Sequence, residues 1–358
     1  MEVKEEQLNC IKDNKDKESE NIFNFDDSNI LTNDSYTSLG GYTYSFCVFR
    51  SIDNILSLLY TKNNSKTDFS IVYYNLIDKT KILEIKNAHN SYINNYRHIL
   101  DELNQRDLII SISTKSNNIK LWNINNCECL LDLINVNTRG LLNSASFIKD
   151  NNNIYIISSN CVWMDTIPDS IKVFDLEGNI IKKINDSNNI TFFVDSYYDK
   201  KWSNNYIITG NSGSVIVYDF FTNKIYRKYS EENDKMSHLC VIVKDNEEIT
   251  KLLDSCSDGN VKIWHFHTGE LLQKINVCNG QIYGICLWNK EFLLVGSDKS
   301  NIILVEISTG KIKKKFFGHY KKVVSIQKII HSKFGECLIS QGSGNDIIKI
   351  WKNNEIII

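Results

Sequence analysis

Proline is nearly missing from this chain: Pro168 is the only one in 358 residues. That excludes collagen-like and polyproline architectures. Long apolar runs are missing too. No stretch reaches the roughly 18 uninterrupted apolar residues that a spanning helix needs. The first twenty residues, MEVKEEQLNCIKDNKDKESE, hold no apolar core of a secretory signal. A large charge excess is also lacking. The net charge of −2 gives no whole-protein signal for nucleic acid or an anionic membrane. Helical periodicity is absent over most of the chain, and so are the common catalytic signatures. There is no Gly-x-Ser-x-Gly elbow, no His-Glu-x-x-His, and no glycine loop ending in Lys-Ser/Thr.

Cysteine is present, ten residues in all, but without pattern. Most sit inside apolar runs such as YSFCVF and YGICLW, as buried free thiols do. Cys127 and Cys129 form a lone C-x-C with no second pair at zinc spacing. These features predict a cytoplasmic protein, with a nuclear one not excluded, and no cofactor or metal. Charge is uneven along the chain. Residues 1–35 hold ten acidic side chains against four lysines and read as an acidic, largely disordered tail. Within it, 21–33 is the only apolar part, and it is expected to pair with the last repeat.

What is present is a repeat. Short β-rich pieces end in Tyr74-Asn75, Trp122-Asn123, Phe174-Asp175, Tyr218-Asp219, Trp264-His265, Val305-Glu306 and Trp351-Lys352. Their spacings are 48, 52, 44, 46, 41 and 46 residues. Each is preceded by an apolar strand and a polar turn, and followed by a turn and a more charged strand. Short strands at regular spacing, separated by Gly, Asn, Asp and Ser turns, predict all-β meanders.

These residues resemble the WD40-repeat family, along with Gly318-His319 before YKKVVSI and the turn aspartate Asp258 of SCSDG. The resemblance covers residues 42–358. It implies an all-β, seven-bladed β-propeller of four-stranded antiparallel blades, with the short acidic N-terminal tail outside it. Fidelity is uneven. Phe174 and Tyr218 replace the tryptophan, Val305 loses the ring, and only one Gly-His dipeptide is present. The family's buried network of turn acid, His, Ser/Thr and Trp is complete in no repeat. The last repeat matches it at His319, Ser340 and Trp351, with the acid open between Asn345 and Asp346.

His265 and His267 lie two apart on a strand end, so one metal ion could in principle meet both. No third ligand accompanies them, and His265 occupies the aspartate position of the repeat. They read as structural. The resemblance implies a non-enzymatic scaffold that binds other proteins or peptide segments, as a subunit of a larger complex. A substrate receptor of a ubiquitin ligase is the alternative. It would need a separate adaptor, because no F-box and no Trp-Asp-x-Arg signature is present. A phosphoinositide-binding propeller and a metal-dependent enzyme fit less well. So does a signalling G-protein β subunit, since 1–35 lacks coiled-coil heptads.

Binding residues are expected on rim loops, where aromatic and arginine anchors concentrate interface energy. The candidates on one rim are Arg139, Trp163, Met164, Tyr320 and Lys321. On the other rim, Trp202 stands with Tyr197 and Tyr198.

Overall fold

The computed structural model describes residues 25–29, 46–65, 67–113, 115–134, 136, 141–161, 171–184, 191–244, 249–343 and 348–353. These contain 28 strands and no helix, so no described helix could cross a membrane. The strands form seven four-stranded antiparallel sheets. Blades 1 to 6 take residues 46–89, 95–133, 141–184, 191–229, 238–276 and 282–317. Blade 7 takes 323–353 together with 25–29. Within a blade the strands are a, b, c and d in spatial order. Each a-strand touches the a-strands of both neighbours, and Val323–His331 of blade 7 touches Phe46–Arg50 of blade 1. The sheets therefore close into a ring.

The packing accounts for the consecutive apolar residues in the c-strands. Val215–Asp219 is buried at four successive positions, because both faces of the strand meet a neighbouring blade. The core is not one mass but seven apolar clusters, each shared by two adjacent blades. A single blade cannot bury both of its faces alone, so the ring is the stable unit. Outer d-strands are mostly exposed or half-buried, with at most one buried residue in Glu128–Leu133, Ile180–Ile184, Ile225–Tyr229, Leu271–Asn276 and Ile312–Phe317. Ile312–Phe317 exposes Lys313 and Lys315, and Lys313 pairs with Glu306 at 3.2 Å. Charge along such an edge discourages strand addition by other chains.

Both chain regions flanking the ring meet in blade 7. Phe25–Asn29 is its d-strand, antiparallel to Ile348–Asn353 in a register running from Phe25↔Asn353 to Asn29↔Lys349. Inward of this pairing, Gln327 Nε2 donates to Val48 O at 3.0 Å, and Arg50 donates to Ile330 O at 3.1 Å. One apolar cluster joins Phe46, Leu58 and Val72 of blade 1 to Ile339 and Ile350 of blade 7.

The turns follow a rule. A side chain at the end of strand c accepts from the amides of the following turn. Asn75 Oδ1 accepts from Ile77 and Asp78, Asp175 Oδ1 from Glu177 and Asn179, and Asp219 Oδ1 from Phe221 and Thr222. Such bonds replace the backbone partners that a tight turn leaves open. Asp258 does the same in the b–c turn of blade 5, accepting from Asn260 N at 3.0 Å. Gly259 beside it has φ +82°, and a Cβ there would lie 1.7 Å from Cys278 O. Gly259→Ala is expected to cost more than about 1 kcal/mol, read as a lower midpoint in urea unfolding. An unchanged midpoint would mean that the turn adapts.

Candidate functional site

Two blades carry a buried Trp–Ser–His relay among the described residues. In blade 2, Trp122 Nε1 donates to Ser111 Oγ at 2.8 Å, and Ser111 Oγ meets His89 Nε2 at 2.7 Å. His89 Nδ1 meets Asn118 Oδ1 at 3.2 Å. In blade 7, Trp351 Nε1 donates to Ser340 Oγ at 2.6 Å, and that oxygen meets His319 Nε2 at 2.7 Å. All these side chains are buried. Each relay ties strand c to strand b and to the chain entering the blade. Asn345 and Asp346, the candidates for the turn acid of blade 7, lie outside the described residues.

The serine position lies two residues beyond the b-strand partner of the c-strand aromatic. Across the blades it holds Tyr60, Ser111, Ser158, Thr209, Asp254, Val295 and Ser340. Only blade 5 places a carboxylate there. Trp264, otherwise a faithful copy, consequently has a buried indole N–H with no acceptor. Asp254 instead meets His238 Nδ1 at 2.5 Å, beside Cys256.

His265 and His267 do not converge. Their ring centroids are 6.2 Å apart and inclined by 67°. His265 Nδ1 accepts from the amides of His267 and Thr268 at 3.2 Å, which is the turn-capping task that Asp175 and Asp219 perform elsewhere. His267 meets Tyr226 Oη through Nδ1 at 3.0 Å and Asp199 through Nε2 at 3.4 Å. It cements blade 4 to blade 5.

Of the expected binding residues, Arg139, Trp163 and Met164 lie outside the described residues. Tyr320 is 88% exposed in the loop entering blade 7, with Lys321 exposed beside it. Next in the loop, Lys322 lies 4.3 Å over the Tyr283 ring. On the opposite rim Trp202 is 63% exposed, held by its amide on Asp199 Oδ1 at 3.2 Å. Tyr198 is 48% exposed in the same a–b hairpin, and Phe221 is 51% exposed in the adjoining c–d turn. Asn204 Nδ2 bonds Asp219 Oδ2 at 2.7 Å and fixes these two turns side by side. Tyr197 departs from the expected patch. It is packed inward, 5.1 Å from the Phe266 ring and 6.3 Å from Tyr206. The reason is strand alternation, which sends neighbouring side chains to opposite faces.

No family model matches the chain. Two relatives do, over short stretches. The WD repeat-containing protein 89 homolog of Dictyostelium discoideum is 34% identical over 107 residues, which is 30% of this chain and 28% of that protein. The U3 small nucleolar RNA-associated protein 21 homolog of Schizosaccharomyces pombe is 24% identical over 120 residues, or 33% of this chain and 13% of that protein. The matches span less than a third of either relative. Together with seven four-stranded blades and the buried Trp–Ser–His relays, they decide the family. The chain is a WD40-repeat protein. Within this WD40 propeller, sequence reading missed the relay of blade 2, because His89 is followed by Asn90 and not preceded by glycine. The usable signal was spacing. His89 precedes Ser111 by 22 residues, and His319 precedes Ser340 by 21.

Proposed function

We propose that this propeller is a non-catalytic scaffold that binds peptide segments or subunits of a larger assembly through its rims. The observation that carries this reading is the cluster of Trp202, Tyr198 and Phe221, each about half exposed or more on adjoining turns of blade 4. Large aromatic side chains presented by short, hydrogen-bonded turns lose little entropy on binding and often act as anchors. Tyr320 and Lys321 offer a second contact on the other rim. The likeness to a protein named for association with a small nucleolar RNA supports work within an assembly.

The test is affinity purification from the native cell with mass spectrometry of the retained proteins. A Trp202→Ala/Phe221→Ala variant should lose partners that the wild type retains, by at least about tenfold, as for anchors worth 1.4 kcal/mol or more. A Tyr320→Ala/Lys321→Ala variant reports on the opposite rim. If both variants keep the full wild-type partner set while remaining folded, the rim reading is wrong.

A further inference from the structure

We propose that His238, Asp254 and Cys256 of blade 5 form a structural site for a zinc ion. The three donor atoms lie within 4.8 Å of one another, and all three residues are buried. Cys256 Sγ is 3.7 Å from His238 Nδ1 and 3.6 Å from Asp254 Oδ2. Tetrahedral zinc, with Zn–S of 2.3 Å and Zn–N or Zn–O near 2.05 Å, requires sulfur-to-donor edges of about 3.6 Å and a nitrogen-to-oxygen edge of about 3.3 Å. Two edges already fit. The third, Nδ1 to Oδ2, is 2.5 Å, so the pair must open by about 0.8 Å to admit the ion.

The placement follows from the repeat. Blades 3 to 7 share a register shift at the start of strand a, and the residue before it is Leu142, Thr191, His238, Ile282 or Val323. Three of the other four are aliphatic. The cross-strand partner of His238 is Cys256, and the serine position two residues earlier is Asp254. Blade 4 fills the same three positions with Thr191, Asn211 and Thr209, which satisfy one another through bonds of 2.8 and 3.0 Å. Blade 5 fills them with an imidazole, a thiol and a carboxylate, which meet through Nδ1, Sγ and Oδ2 but leave polar atoms over. Asp254 Oδ1 and His238 Nε2 are buried without a hydrogen-bond partner. A buried carboxylate oxygen left in that condition is costly. It is free to chelate the ion beside Oδ2, as the second oxygen of one carboxylate and not at a tetrahedral corner.

The surroundings complete a second layer. Once Nδ1 binds the ion, the imidazole carries its proton on Nε2, which lies 3.5 Å from Asp234 Oδ2. Metal-bound histidines commonly donate their other N–H to a carboxylate in this way. Asp234 is itself fixed by Lys262 Nζ at 2.5 Å and by Met236 N at 3.0 Å. Lys262 is engaged by Asp234 and Glu231. Two buried carboxylates and a metal-bound thiolate, against the one ammonium and a neutral imidazole, leave a charge of −2. One divalent ion cancels it. Binding releases the Cys256 thiol proton, and the sulfur ligand favours zinc over magnesium or calcium.

The experiment strips the purified full chain with a chelator, dialyses it against zinc, and counts bound metal by mass spectrometry. Cobalt(II) in a parallel sample reports thiolate ligation through its sulfur-to-metal charge-transfer absorption. One equivalent of zinc, the cobalt band and a raised melting temperature are expected of the wild type. Asp254→Ser restores the hydroxyl that Ser111 and Ser340 supply and is expected to fold. It should weaken zinc binding more than 100-fold, beyond the 10- to 100-fold cost of losing an outer partner. Cys256→Ser should abolish the cobalt band, and Cys278→Ser should leave it intact. The proposal is overturned if stripped wild type takes up no zinc, or if Asp254→Ser and Cys256→Ser bind it as the wild type does.

Discussion

Replacing Trp122 by alanine is expected to destabilise the propeller by about 3–5 kcal/mol, the range for a buried tryptophan lost from a packed core. The ring is 4% exposed and belongs to the cluster joining blades 1 and 2, with Phe49, Tyr73, Tyr96 and Ile109. Its removal opens a cavity at a blade interface and also takes away the donor to Ser111 Oγ. Phenylalanine separates the two contributions. Trp122→Phe keeps most of the packing, loses the hydrogen bond, and should cost about 1–2 kcal/mol. Trp264→Phe is the contrasting case. Trp264 is equally buried, but its N–H has no acceptor because Asp254 has turned to His238. Removing an unsatisfied buried donor should be near neutral or slightly stabilising. Urea unfolding of the three variants at pH 7 measures this. Equal losses in Trp122→Phe and Trp264→Phe would show that the Trp–Ser bond contributes nothing.

That contrast also marks how far the fold could be read from residues alone. The seven-fold period was legible because the c-strand ends repeat a physical requirement, an apolar residue to bury and, in all but the last blade with its Lys352, an acceptor for the following turn. The acceptor can be Asn, Asp, Glu or His, so the requirement survives where the family's letters do not. His265 shows this, since its ring nitrogen does what Asp219 does with an oxygen. The seven interfacial cores were legible for a similar reason, because strands buried on both faces read as unbroken apolar runs. The polar centres were harder. A relay such as His89–Ser111–Trp122 joins residues 11 to 22 apart in sequence, across three strands. Its members look ordinary until the register is known. His238, Asp254 and Cys256 show the limit. Blades 3 to 7 share the bulge seen at His238/Cys240, but only in blade 5 does the residue before it face a carboxylate. No spacing motif signals such an arrangement. On the rims, exposure and not residue type separates Trp202 from Tyr197, and only packing decides exposure.

The blade 2 relay also sets a pH dependence. Trp122 N–H donates to Ser111, so the serine hydroxyl donates to His89 Nε2, and Nδ1–H donates to Asn118 Oδ1. This one-way chain needs a neutral imidazole. Burial, aided by the nearby charge of Lys120, pushes His89 down to about 4 from 6.5, and the Asn118 hydrogen bond and the Asp132 charge offset this only in part. A group with its folded pKa depressed contributes stability above the unfolded value, and that stability is lost as pH falls through the folded one. The window here runs from about 6.5 down to about 4, and at 1.36 kcal/mol per unit the loss is about 3 kcal/mol. His331, also lowered by burial, adds in the same direction. The stabilised aspartates, such as Asp107 and Asp219, have folded values below the usual 3.8, so most of their loss falls in more acid solution. Asn118→Asp places a carboxylate on Nδ1, stabilises the imidazolium and should remove most of the loss between pH 6.5 and 4. Unfolding free energies measured at half-unit intervals across that window decide the matter. A decline as steep in Asn118→Asp as in the wild type would mean that His89 is not its source.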